Sequence, residues 1–431
     1  MKLFKNARVI DPVQKIDKIT DIRVNGNQIF ETGVNLVPNS QEEIIDLAGK
    51  ILTTGFVDLH VHLREPGEEY KEDVESGARA AAAGGFTGIC PMPNTKPVCD
   101  NDTITEMLVI KGQRTGLVNI YPVGAITKNQ DGKELAEIGM MKKRGARALS
   151  DDGRDVMNSL VMRRALDYAK AFQMPVFAHC EDTALAGHGS MNEGYYSSKL
   201  GLGGIPKEAE NIMVMRNIML AGLTNGHMHI SHMTTKEGLE LIRQAKKEGH
   251  KVTCEVTPHH FSLTEAAVES YDTNYKVNPP LRTQKDIEVL IQGMAEGIVD
   301  VIATDHAPHD LEDKDKDFSN AAFGISGLET ATALTMDILY HKHNISLMRI
   351  AEMLSSKPRE ILGLPEQKIA SGNIADFTII DPELSKKADK GKFYSKGKNT
   401  PFHGVTLKGW PVMTVFAGKI VMKDGEVIEQ Q

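Results

Sequence analysis

Eight short apolar runs, most of them separated by stretches of helical pattern, constrain this chain more than any other feature. They are Val57–His62, Phe86–Cys90, Val118–Gly124, Ala146–Ser150, Val176–His179, Met228–His232, Lys251–Val256 and Val299–Asp305. Between them, Ser76–Ala83 (closed by Gly84-Gly85), Leu160–Ala171 and Thr235–Glu248 read as helices. Strands alternating with helices pair in parallel, so the class is α/β, and eight such units suggest a (β/α)8 TIM-type barrel. A doubly wound open sheet is the rival. The barrel is favoured by where the reactive residues fall. His60, His62, Asn94, Asp152, His179, His232 and Asp305 stand at or just past the C-terminal ends of the runs. Barrel active sites are built at that rim.

The texture differs at both ends of the chain. Ile22-Arg23-Val24 and Gln28-Ile29-Phe30 flank Asn25-Gly26, a strong hairpin signal, and no helix is expected before Glu68. After a helix over Leu347–Leu362, strands are expected at Ala375–Asp381, Met413–Ala417 and Ile420–Met422. Residues 1–54 and 364–431 are therefore expected to form one small discontinuous β domain, and 55–363 the barrel. Three segments read as loops. Gly187–Pro206 is glycine-dense and should be mobile, whereas the charged runs Asp310–Phe318 and Lys386–Lys398 read as solvated surface. Loops of this size on an enzyme barrel are often lids.

At 431 residues, 41% hydrophobic and 25% charged, the chain has the composition of a globular protein. A net charge of −8 argues against a nucleic-acid partner. No segment is apolar enough to act as a signal peptide or to span a membrane. Cys90, Cys99, Cys180 and Cys254 lack paired spacing, which suits free buried thiols in a reducing cytoplasm.

In the first run Asp58, His60, His62 and Arg64 alternate with Val57, Leu59, Val61 and Leu63. On a strand this lines a carboxylate, two imidazoles and a guanidinium along one face. A solvated strand can also alternate, but it rarely uses two histidines and an arginine to do so. His at i and i+2 suits two ligands of one metal. Asp151-Asp152, His179, His232 and Asp305 supply further donors. A single strand-end histidine is more often structural or substrate-facing; four, with two aspartates, converging on one rim favour metal. This donor mix suits zinc, with other divalent ions open. Six ligands are too many for one tetrahedral ion but fit two bridged ones.

Asp58-Leu59-His60-Val61-His62-Leu63-Arg64-Glu65-Pro66 and Ala303-Thr304-Asp305-His306-Ala307-Pro308-His309, with Lys314 downstream, resemble the two signature stretches of dihydroorotases. Pro91-Met92-Pro93-Asn94-Thr95 and Asn278-Pro279-Pro280-Leu281-Arg282 look like internal motifs of the same family. The resemblance covers essentially the whole chain. It implies reversible interconversion of N-carbamoyl-L-aspartate and L-dihydroorotate in pyrimidine biosynthesis. It also implies two zinc ions, one on His60, His62 and Asp305 and one on His179 and His232, with Asp152 as the bridge. Many relatives bridge with a carbamylated lysine. Ser-Asp-Asp-Gly here is similar to the aspartate-bridged subgroup, and the family pattern favours Asp152 over Asp151. A metal-activated water would attack the ring amide, and Asp305 would move the proton as general base and then acid. Arg64 would hold the substrate carboxylate with Asn94 and His309, while Asn278, Phe323 and Gly324 would hold the ring amide and carbonyls. Dihydropyrimidinases (hydantoinases) and allantoinases are the closest rivals, but their substrates lack the ring carboxylate that gives Arg64 a purpose. A metal-free scaffold homologue should have lost ligands, and none is missing. A homodimer or association with aspartate transcarbamoylase stays open.

Overall fold

The computed structural model describes residues 1–429. Eight parallel strands, each followed by a helix, form a closed ring. The strands are β1 (Phe56–Val61), β2 (Phe86–Pro91), β3 (Asn119–Ile120 and Val123–Gly124), β4 (Ala148–Ser150), β5 (Val176–Ala178), β6 (Met228–Ile230), β7 (Val252–Val256) and β8 (Val301–Ile302). The third run is broken at Tyr121-Pro122. Its first half pairs with β2 and its second with β4, because Pro122 has no N–H to give a ladder. The eighth run is regular for only two residues, and its continuation closes the barrel in another way. His306 bridges Val61, and the His62 N–H donates to the His306 carbonyl at 2.8 Å. Below that, Asp58 Oδ1 accepts from the Thr304 N–H (3.0 Å) and Oδ2 from the Thr304 hydroxyl (2.6 Å).

The helices start where their caps allow. Val74–Gly84 begins two residues earlier than its alanine run suggests, because Asp73 and Ser76 form a capping box, and it ends at Gly85 with φ +93°. Thr235 caps Lys236–Lys247, and Asn158 caps Ser159–Ala171.

Both chain ends enter one nine-stranded sheet, joined where Phe377–Lys387 runs antiparallel to Ile51–Thr54. The expected hairpin is present, between Ile16–Asn25 and Gln28–Gly33. This sheet has its own core, in which Phe4 meets Phe377 edge-on at 5.9 Å.

Two segments expected to be solvated are largely exposed, but each carries a buried anchor. In the first, Lys314 is buried, and its ammonium donates to the carbonyls of Ala322 (2.8 Å) and Gly324 (3.0 Å). In the second, buried Ser395 donates to Glu72, which also accepts from His306 Nε2 at 3.1 Å. Asn399, just beyond, accepts from the His309 N–H (2.9 Å) and donates to the carbonyls of Ala307 and Gly324 (3.0 Å each). Lysine-rich composition reads as solvation even where an ammonium, as at Lys314, meets backbone carbonyls, which a sequence does not display. The glycine-dense segment carries short regular elements. Met191–Asn192 pairs with Gly204–Ile205, and Met191 packs with Val268 and Phe318.

The Asp58–Thr304 contact that closes the ring is testable. Thr304→Val keeps the shape but removes the hydroxyl donor from a buried carboxylate, and should lower unfolding free energy by about 1–3 kcal/mol. Chemical denaturation with an unchanged m-value checks it.

Candidate active site

The C-terminal ends of the strands bring the anticipated residues together. His60 and His62 project from β1 on the same side. His60 Nδ1 donates to Glu255 Oε1 at 2.8 Å, which turns its Nε2 toward Asp152 Oδ1 (3.4 Å) and Asp305 Oδ1 (3.5 Å). His62 Nδ1 donates to Asn94 Oδ1 at 3.0 Å, and its Nε2 lies 3.1 Å from Asp305 Oδ1. His179, after β5, and His232, after β6, face each other with Nδ1 and Nε2 2.9 Å apart. Those nitrogens stand 3.7 and 3.8 Å from Asp152 Oδ1. Three of the site residues have left-handed backbone: Arg64 (φ +58°), His232 (+34°) and Asp305 (+47°). Such strain clusters where a side chain must be aimed rather than packed.

The donor set fits divalent cations. His60 Nε2 and Asp152 Oδ1 are buried without a hydrogen-bond partner, as are His179 Nε2, His232 Nδ1 and His259 Nε2. Orphaned polar atoms are rare in a native interior unless a ligand takes them. Two compact groups emerge among the described residues: His60, His62 and Asp305, and His60, Asp152 and His232. The first matches the expected set. In the second, His60 stands where His179 was expected, and His179 approaches it through His232.

Burial opposes charge on Asp152 and Asp305, yet the surrounding imidazoles, His60 foremost, hold both carboxyls well below the usual range. Burial likewise opposes charge on His179, but Glu181 and Asp152 pull it up to about 9. The neighbouring Asp151 is spent elsewhere. It accepts from the N–H groups of Ile126 and Thr127 and from the Thr127 hydroxyl, and burial pushes it up to about 6.

Above the cluster opens a cavity of about 310 Å³. Arg64, Asn94, Asn278, His309, Phe323 and Gly324 all line it, together with His62, Asp152, His179, His232 and Asp305. Arg64 Nε donates to the Pro308 carbonyl (3.2 Å), and its Nη2 lies 3.2 Å from His309 Nε2. Burial, reinforced by Arg64, pushes His309 down to about 3, so its ring is neutral. Asn278 donates to Glu181 at 3.2 Å. Gly324 has φ +138°, and a Cβ there would stand 2.7 Å from that of Ala307, so only glycine lets this wall close. Sequence reasoning missed Glu255, Lys276, Asn399 and the cavity-lining Gly153 and Ala307. Of these only Glu255, a lone carboxylate inside an otherwise uncharged barrel strand, carried a signal.

A closed eight-stranded barrel with a His/Asp cluster at its rim and a β-sheet unit from both chain ends defines the cyclic amidohydrolase class. The whole chain superposes on the L-hydantoinase (dihydropyrimidinase) of Arthrobacter aurescens with a TM-score of 0.88 at 26% identity, covering 100% of this chain and 98% of that one. The dihydropyrimidinase of Brevibacillus agri shares the fold at TM-score 0.86 and 22% identity, over 99% and 96% of the two chains. Within the class the sequence is more specific. A family model described as dihydro-orotase-like matches residues 49–238. The dihydroorotase of Pelobacter propionicus is 48% identical over 98% of this chain and 99% of its own. That of Geotalea daltonii is 48% identical over 98% and 100%. The chain belongs to the dihydroorotase family.

The two adjacent aspartates give opposite expectations. Asp152→Ala should lose bound metal, measured as zinc per chain. Asp151→Ala should keep its metal and lose stability instead, because it unties Ile126 and Thr127. The reverse pattern would move the donor by one residue.

Proposed function

We propose that the chain is a dihydroorotase, interconverting N-carbamoyl-L-aspartate and L-dihydroorotate plus water in pyrimidine biosynthesis. The observation that carries this reading is Arg64, a guanidinium beside a neutral histidine in a cavity whose floor is the His/Asp cluster. A planar cationic fork a few ångströms from a hydrolytic centre suits an amide substrate that carries a carboxylate.

His60, His62 and Asp305 would hold one metal ion, His179 and His232 a second, with Asp152 between them. Zinc suits these nitrogen and oxygen donors, and other divalent ions can substitute. Bound ions would polarise the ring carbonyl and make water nucleophilic at neutral pH. The rest falls to the chain. Asp305 takes the proton of the attacking water on its carboxylate and returns it to the departing ring nitrogen, base first and acid second. In cyclisation the same group runs in reverse. Arg64, with Asn94 and His309, holds the substrate carboxylate. Asn278 and the backbone at Phe323-Gly324 hold the ring amide and carbonyls, and the Lys314 and Asn399 bonds to Gly324 keep that wall in place. Among the described residues no helix is long and apolar enough to cross a membrane, and the four cysteines are free and buried. Both agree with the cytoplasmic placement proposed here.

A substrate panel on the zinc-loaded protein tests the reading. Carbamoyl aspartate and dihydroorotate should turn over, and dihydrouracil and allantoin should not; turnover of dihydrouracil in preference would favour a dihydropyrimidinase. Arg64→Met should retain its zinc yet lose roughly 2–5 kcal/mol of transition-state binding, read from kcat/KM.

Asp305→Asn keeps shape and a coordinating oxygen but cannot carry the proton. Its kcat should fall by roughly 10²–10⁴-fold or more in both directions, with zinc and substrate affinity changed far less. A variant that stays metal-loaded and near wild-type speed would show that another group moves the proton.

A further inference from the structure

Behind the site runs a line of polar groups that the proposed reaction does not use. Glu255, on β7, is fully buried. Its Oε1 accepts from His60 Nδ1 (2.8 Å) and from the His232 backbone N–H (3.3 Å). Its Oε2 accepts from His229 Nε2 at 3.0 Å. The line continues downward: His229 Nδ1 lies 2.8 Å from the Thr253 hydroxyl, and His227 Nε2 lies 2.9 Å from the same oxygen.

A neutral imidazole has one N–H and one bare nitrogen, so each partner in such a line fixes the role of the next. Glu255 Oε1 already takes a backbone N–H and so is an acceptor, and a carboxylate that accepts on both oxygens needs N–H from both rings that touch it. A His229 ring with a single proton then has it on Nε2 and accepts the Thr253 hydroxyl proton on Nδ1. The Thr253 oxygen in turn accepts from His227, which burial holds down at about 4 and therefore neutral. On the other side of the carboxylate, the His60 proton on Nδ1 is committed to Glu255, so Nε2, the atom found without a hydrogen-bond partner opposite Asp152 and Asp305, is the one that would take a metal ion.

We infer that Glu255 is a positioning residue for the metal centre: it fixes the tautomer and ring orientation of His60 and, through the His232 backbone, the approach of a donor to the second position. The inference rests on the metal-dependent reading of the site. A ligating histidine held by a carboxylate through its other nitrogen is aimed before the ion arrives, and loss of such a partner typically weakens metal binding about 10–100-fold. Glu255 differs from a carboxylate that merely fills the barrel because one oxygen serves two donors from different strands, His60 of β1, which belongs to both compact groups, and His232 just past β6, which belongs to the second.

The experiment compares the zinc-loaded wild type with Glu255→Gln, using protein labelled with ¹⁵N in its histidines. Wild-type His60 should show a metal-bound Nε2 and a hydrogen-bonded Nδ1 proton that exchanges slowly with water. Glu255→Gln should fold, bind zinc about 10–100-fold more weakly at one or both positions in a chelator competition, and lose the slow exchange of that proton. Equal zinc affinity together with an unchanged His60 Nδ1 proton overturns the inference and leaves the metal reading standing. A wild-type chain that takes up no zinc overturns the metal reading, and the inference with it. Should Glu255→Gln not fold, the wild-type spectrum decides: His60 ligated through Nδ1, or without a proton there, overturns the assignment.

Discussion

Asp152 and Asp305 set the terms for the structure around them. They are two carboxylates taken out of water at the mouth of a barrel, and a buried charge is tolerated only when paired. Four imidazoles answer them, and the rings balance the carboxylates only if they carry protons or if cations take those places. Everything nearby serves that exchange. The imidazoles come from three different strands, so their positions depend on the barrel staying closed, and Asp58 and Thr304 close it directly beneath. Left-handed backbone at His232 and Asp305 turns each side chain inward just past its strand. Such conformations persist only where the surroundings over-determine them, which a closed parallel barrel does.

The wall that faces the cluster is made differently. It consists of backbone, at Ala307, His309, Phe323 and Gly324, and backbone outside regular structure needs partners of its own. Lys314, Lys276 and Asn399 provide them. Lys276 donates to Ser319 and Ala321 at 2.8 and 2.7 Å, with its ammonium 4.3 Å from the centre of the Phe323 ring. Burial pushes Lys276 down to about 8 and Lys314 to about 7. That lowering marks the cost of desolvating two cations so that four carbonyls are held still. Asn399 reaches the wall from the β-rich end of the chain, so the segment that leads back into the terminal sheet also shapes the substrate cavity.

The barrel was legible because its signals are local and periodic. His60 and His62 alternate with Val61 and Leu63, and the run of alanines after Val74 ends at Gly84-Gly85. The cluster was legible because histidine and aspartate at strand ends are chemically conspicuous. What could not be read was anything defined by a partner far along the chain. Lys314 and Ser395 sit in sequences that look solvated, and only the fold reveals the carbonyl beside one and the carboxylate beside the other. Glu255 lies between these cases. Its charge inside a strand was a signal, but its meaning depends on His60 being 195 residues away. Asp151 and Asp152 show the limit in its sharpest form: identical side chains, adjacent in sequence, turned to opposite tasks by which backbone N–H groups happen to be in reach.

Specificity is likewise carried by side chains and not by the fold. The barrel superposes on hydantoinases nearly end to end, so the architecture cannot distinguish a ring that bears a carboxylate from one that does not. The cavity can. Arg64 brings a permanent positive charge into a half-enclosed space, and His309, held neutral by burial and by that same charge, adds none. Glu68, Asp305, Asp152 and Asp313 offset part of that charge, but a neutral cyclic ureide would still leave the desolvated guanidinium without a partner of its own. On the proposed reading, an anionic ring would pair it. Discrimination then comes from what the wrong substrate leaves unsatisfied as well as from what the right one binds, and such a site rejects its near relatives more strongly than an apolar pocket of the same size could.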